Sequence, residues 1–110
     1  MQVLLKAQLT TTSDQRIAFL ECLHTLTEHS RSEVGCISFD TLEDVTHPNT
    51  FVVLGEWNDE VSLDQHEQSE HVAAFKANAG SMIAARQPAR VYIIQRATGL
   101  NASNISSISS

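Results

Sequence analysis

Thr50-Phe51-Val52-Val53-Leu54-Gly55-Glu56-Trp57 is the stretch that decides the fold. Its β-branched and aromatic residues favour extended backbone. With a period of two, Phe51, Val53, Gly55 and Trp57 fall on one face and Val52, Leu54 and Glu56 on the other. Large apolar groups stand on both faces, so this strand belongs inside a sheet that is covered on both sides. Upstream, Asp44-Val45-Thr46-His47-Pro48-Asn49 has the chemistry of a turn. Before the turn, Cys36 to Glu43 reads as a second strand, with Ile37, Phe39 and Thr41 sharing a face. Two such strands joined by a short turn make a hairpin.

Working outward, Phe19, Cys22, Leu23, Leu26 and Ser30 recur at helical spacing and predict a helix over 13–31, capped by Thr12 or Ser13 and ended before Gly35. Ahead of it, Val3, Leu5, Ala7 and Leu9 alternate with Gln2, Leu4, Lys6 and Gln8, the pattern of a strand. Beyond the hairpin, Asn58 or Asp59 caps a short helix over 60–67, and Ser69 caps another over 70–79 that Gly80 closes. Residues 81–88 read either way, and Pro88 breaks any helix. Ala89 to Ala97 is the last strand, Val91 and Ile93 alternating with Tyr92 and Ile94. The order β-α-β-β-α-β is the ferredoxin-like plait, an α+β fold with one antiparallel sheet. Its helices cover one face only. The apolar second face, with Val52, Leu54, Tyr92 and Ile94, leads us to expect a sheet-to-sheet homodimer.

Length and charge narrow the possibilities. A chain of 110 residues is one small domain, read here as residues 1–98, followed by a flexible polar tail over 99–110 that has no charged residue and five serines. A domain of this size buries about two-thirds of its unfolded surface. It is too short for a dinucleotide-binding domain joined to a substrate domain, a (β/α)8 barrel or a full flavoprotein. The net charge of −6 argues against nucleic acid and anionic membrane as partners. No fully apolar run exceeds four residues, so no transmembrane helix is expected. The N-terminus lacks the pattern of a secretory signal, and the expected compartment is the cytoplasm. Cys22 and Cys36, fourteen apart, match no zinc or redox spacing and read as buried free thiols. Glycine-rich phosphate loops and nucleophile-elbow motifs do not occur.

Among the candidate chemical groups, His66 stands out. It shares a helical face with Leu63 and follows Trp57 by nine positions, and imidazole is the natural base near neutral pH. The Trp57 indole reads either as a core aromatic or as a pocket wall whose N–H donates to a substrate oxygen. His71 falls in the first turn of its helix, where the dipole favours the neutral ring. His66 and His71 are five apart, near Glu67 and Glu70, whereas helical metal pairs stand three or four apart, so no metal site is expected. Arg31, Arg86 and Arg90 read as an anion clamp or as surface partners for the 13 acids. His24, His29 and His47 read as solvated.

The run Ser30-Arg31-Ser32-Glu33-Val34-Gly35-Cys36-Ile37-Ser38-Phe39 resembles the S-R-x-E-P-G-C-x-x-Y signature of antibiotic biosynthesis monooxygenase domains. Pro48-Asn49-Thr50-Phe51, Glu56-Trp57, Asp59-Glu60, then Leu63, His66, His71 and Phe75 continue the likeness in order over residues 2–97. The resemblance implies a dimeric α+β barrel with a pocket between each sheet and its own helices. It also implies oxidation of a small aromatic or quinol-like substrate by O2 as co-substrate, with no flavin, metal or haem. His66 and Trp57 are then the catalytic candidates, and Phe39, Phe51, Phe75, His71 and Arg31 the substrate-binding ones. Two positions depart from the pattern: Val34 stands for its Pro and Phe39 for its Tyr, which removes a hydroxyl donor. Ala7, His66 and Lys76 occupy the positions where haem-degrading relatives need Asn, Trp and His. Alternatives are an isomerase or degrading enzyme for a small phosphorylated carbonyl compound, and a non-catalytic ligand-binding stress-response dimer.

Overall fold

A computed structural model describes residues 1–99. The elements are β1 (Gln2–Thr10), α1 (Arg16–Arg31), β2 (Cys36–Glu43), β3 (Thr50–Trp57), α2 (Glu60–Glu67), α3 (Glu70–Ala79), a 3-10 turn (Gly80–Met82) and β4 (Ala85–Ile94). The sheet order is β2-β3-β1-β4 with every neighbour antiparallel, the plait predicted from the element order. The tail predicted over 99–110 lies, apart from Gly99, outside the described residues. No helix among the described residues is long and apolar enough to cross a membrane.

Alternation along β1 and β3 separates the faces of the sheet. Val3, Leu5, Phe51, Val53 and Trp57 are buried under the helices, together with Phe19, Leu23 and Leu26 of α1, Leu63 of α2 and Val72 of α3. The opposite face carries Leu4, Val52, Leu54, Leu42 and Tyr92, of which Leu42 and Tyr92 are exposed.

Three local readings need correction. α1 starts at Arg16, not at 13: Thr12 and Ser13 do not cap it, because residues 12–15 form a turn in which the Gln15 N–H donates to the Thr12 carbonyl at 3.2 Å. Ile37 does not share the Phe39 face. The register jumps from Cys36 opposite Trp57 to Ser38 opposite Glu56, so Ile37 is the extra residue of a bulge and stays 45% exposed. Gly80 closes α3 as read, and its right-handed backbone opens the 3-10 turn. β4 begins at Ala85, four residues before the predicted start. Pro88 is tolerated because β4 is an edge strand and Pro88–Ala89 bulge opposite Ala7, between the pairs Lys6–Arg90 and Gln8–Gln87. The two cysteines are free as expected, but half-buried.

Candidate functional site

α2 and α3 meet at a break, and the break places the chemistry. Asp59 accepts from the Ser62 N–H at 2.8 Å to start α2, and Ser69 accepts from the Val72 N–H at 3.3 Å to start α3. The Ser69 hydroxyl also donates to the His66 carbonyl at 2.7 Å. This corner turns His66 and His71 towards each other, with ring centroids 5.9 Å apart, although five residues do not share a face on a continuous helix.

Glu33 stands between them. His66 Nδ1 donates to Glu33 Oε1 at 2.5 Å, and His71 Nε2 donates to the same oxygen at 2.8 Å. A carboxylate only accepts, so it places the proton of neutral His66 on Nδ1 and that of His71 on Nε2. Glu33 is held by the tight loop after α1. Gly35 there has φ +86°, and a Cβ on it would lie 2.2 Å from Ser62 Oγ. The Gly35 carbonyl accepts from the Asn58 N–H at 2.8 Å, which ties the loop to the end of β3.

His66 is 3% exposed and has aromatic walls: the Trp57 ring lies 4.7 Å and the Phe39 ring 5.5 Å from it, centroid to centroid. It borders a cavity of about 510 Å³ between the sheet and α2–α3. Leu5, Ala7, Leu9, Phe39, Val53, Val72, Phe75 and Ile83 make the cavity mainly apolar, and Glu67, Lys76 and Arg86 bring charge to its boundary. With Nδ1 committed to Glu33, Nε2 of His66 makes no hydrogen bond among the described residues and is the nitrogen free to accept a proton.

The predicted site residues separate accordingly. His66, Phe39 and Phe75 line the cavity. Trp57 does not. It is fully buried behind His66, and its indole nitrogen has no partner among the described residues. Gly55 makes room for it, since a Cβ there would come within 2.4 Å of the indole ring. Phe51 lies at the other end of the core, 5.8 Å from the Phe19 ring. Arg31 is also away from the cavity, donating to the Phe39 carbonyl at 2.8 Å and to Asp40 at 3.0 Å. The clamp read from Arg31, Arg86 and Arg90 is therefore split, since Arg86 alone of the three lines the cavity. His71 reaches the site through Glu33 and itself lines a groove between α1 and α3 with His29. His24 and His47 are exposed and pair with Glu28 and Asp44. The residue missed was Glu33. It lies in the S-R-x-E run, but its partners are 33 and 38 positions away, beyond any local spacing. Nearby, burial and the Glu33 charge push the Cys36 thiol up from its ordinary range.

The family model for antibiotic biosynthesis monooxygenase matches residues 3–78. The chain is 32% identical over 83 residues to “Putative monooxygenase YcnE” of Bacillus subtilis, covering 76% of this chain and 87% of that protein. It is 32% identical over 81 residues to “Uncharacterized protein sll1783” of Synechocystis, where the match covers 74% of this chain but about half, 55%, of the relative. Two solved structures, each described as a putative antibiotic biosynthesis monooxygenase, share the fold. The Nitrosomonas europaea protein has a TM-score of 0.81 at 21% identity, covering 89% of this chain and 94% of that one. The Deinococcus radiodurans protein has a TM-score of 0.84 at 16% identity, covering 91% and 99%. The match over residues 3–78 takes in the Glu33 loop, the hairpin, the α2–α3 corner and both histidines, and the chain belongs to the antibiotic biosynthesis monooxygenase family.

Proposed function

We propose that the chain is a monooxygenase that oxidises a small aromatic, quinol-like substrate with O2 and needs no flavin, haem or metal. The observation that carries this reading is His66, which lines an apolar cavity while Glu33 holds its Nδ1 and leaves Nε2 without a hydrogen bond among the described residues. A cavity of about 510 Å³ falls within the size range of small-molecule sites and leaves room for an aromatic ring. The reading also draws on family membership.

His66 Nε2 takes a proton from the substrate, and the Glu33 carboxylate stabilises the imidazolium that forms. The substrate anion then passes an electron to O2 in a site that excludes water. Overall SH2 + O2 gives SO + H2O: one oxygen atom enters the product, the other leaves as water, and the substrate supplies the electrons. Phe39, Phe75 and Val53 keep the ring dry, and Lys76 and Arg86 favour a negatively charged substrate. Those two cations equally support an isomerase acting on a phosphorylated carbonyl compound, and turnover under strict anaerobiosis would select that reading.

Oxygen uptake across a panel of quinols tests the proposal. His66→Ala lowers kcat by about 10²–10⁴ if His66 is the base. Unchanged uptake in that variant removes His66 from the role. The same reading includes a homodimer through the face formed by Leu4, Leu42, Val52, Leu54 and Tyr92. A monodisperse monomer in sedimentation at micromolar concentration would overturn it.

A further inference from the structure

Glu33 is a carboxylate with little access to water and no lysine or arginine. Its side chain is 14% exposed, and its charged or chargeable partners among the described residues are His66 and His71 alone. Removing a carboxylate from water without a cation is costly. The donors around it form the set that a transition metal takes: one carboxylate oxygen and two imidazole nitrogens. They come from three segments, the loop after α1, α2 and α3. Their ligand atoms all lie within 4.8 Å of one another, with Glu33 Oε1 2.5 Å from His66 Nδ1 and 2.8 Å from His71 Nε2. Ligands about 2.1 Å from one ion stand roughly 3.0–3.4 Å apart, so small outward movements of the rings would admit it.

The surroundings are suited to holding such a set. His66 is wedged against Trp57 and Phe39, and Gly35 fixes the loop that carries Glu33. His71 borders the groove between α1 and α3, which gives an ion a way in that does not cross the substrate cavity. The five-residue spacing that excludes a metal on one helix loses its force, because α2 ends at Glu67 and α3 begins at Glu70.

We infer that Glu33, His66 and His71 form a binding site for a divalent transition-metal ion of the zinc or cobalt class. Neutral imidazoles enter such a site by changing tautomer. With Nδ1 of His66 on the ion, the ring proton sits on Nε2, which is then a donor in place of a base. Metal occupancy and proton abstraction at His66 are mutually exclusive. This last consequence rests on the function proposed above, whereas the binding site does not.

Titration of the full chain with Zn2+ by calorimetry, and with Co2+ by visible absorption, tests the site without any turnover. One saturable equivalent is expected, and the ring nitrogens of His66 and His71 shift on Zn2+ addition in 15N spectra of the unaltered protein. His71→Gln, at the more accessible ligand, lowers Zn2+ affinity at least about 10-fold. His24→Gln with His47→Gln leaves it unchanged. Absence of a saturable equivalent overturns the site. So does binding that survives His71→Gln and is lost with His24 and His47, which would place the ion on the surface pairs. Because binding is read directly, its failure leaves the monooxygenase proposal standing, and failure of oxygen uptake leaves the metal site standing. Where both hold, one equivalent of Zn2+ suppresses uptake, and a chelator restores it.

Discussion

Two carboxylates stand near opposite ends of α1 and meet opposite kinds of partner. Near the N-terminus, Glu43 binds the Arg16 guanidinium through both oxygens and accepts from the Asn49 N–H at 2.9 Å. Arg16 also donates to Asn49 Oδ1 at 3.1 Å and lies over the Phe51 ring. Just beyond the C-terminus of α1, Glu33 has two imidazoles and, among the described residues, no permanent cation. Each sits near a residue with positive φ, Asn49 at 66° and Gly35 at 86°. The Arg16 hydrogen bonds and the Asn49 N–H lower the Glu43 carboxyl from its ordinary 4.5 to about 2. Arginine keeps its proton throughout, so that end is a fixed clamp between helix and hairpin. Imidazoles can exchange protons and bind metals, so the Glu33 end retains chemistry.

The sharpest way to break this contrast is to neutralise each carboxylate in turn. Glu33→Gln removes the charge that fixes the His66 tautomer, and turnover falls by about 10² or more, as for other oriented imidazole bases. Glu43→Gln lowers Tm and leaves turnover of the folded protein unchanged. If the Glu33 variant keeps its rate and loses only stability, the two ends are alike and the contrast fails.

The two positive-φ residues come next. Gly35→Ala incurs both the left-handed backbone and the contact with Ser62, at a cost of about 2–4 kcal/mol in denaturant unfolding. It also displaces Glu33, so activity falls with stability. Asn49→Ala costs about 1–2 kcal/mol for the backbone, loses the Arg16 hydrogen bond to Oδ1 as well, and spares activity. Equal effects on rate would show that Gly35 does not position the site.

The smallest effect concerns pH. Folded Glu43 titrates below its unfolded value, so its ionised form favours the folded state. That contribution is complete above about 4.5 and disappears as pH falls through about 2. Arg16→Gln therefore lowers Tm near neutral pH, and the gap from the parent chain closes in strong acid. A gap that persists there would mean that Arg16 acts through packing on Phe51.

Legibility in the sequence follows the range of the forces. β2 and β3 lie at their predicted bounds because alternation and the intervening turn are local signals. Asp59 and Ser69 cap α2 and α3 as read, since capping is decided within three residues. The start of β4 was not legible, because Pro88 is acceptable only once the strand is known to be an edge with a bulge. His66 could be found from residue type and position. Glu33 could not, because its role depends on a contact that folding brings from 33 residues away. The place of Trp57, core or pocket wall, stays open in the sequence for a related reason. Alternation gives its face, but whether that face meets the cavity or the core depends on the rings of Phe39 and His66 packed over it.

Trp57 has one more consequence. It is the single tryptophan of the chain, and its ring lies 4.7 Å from that of His66. Fluorescence excited at the red edge of protein absorption therefore comes from one buried indole beside the candidate site. The molecule carries its own optical probe, and emission intensity can follow the arrival of a ring or an ion at His66 without a label.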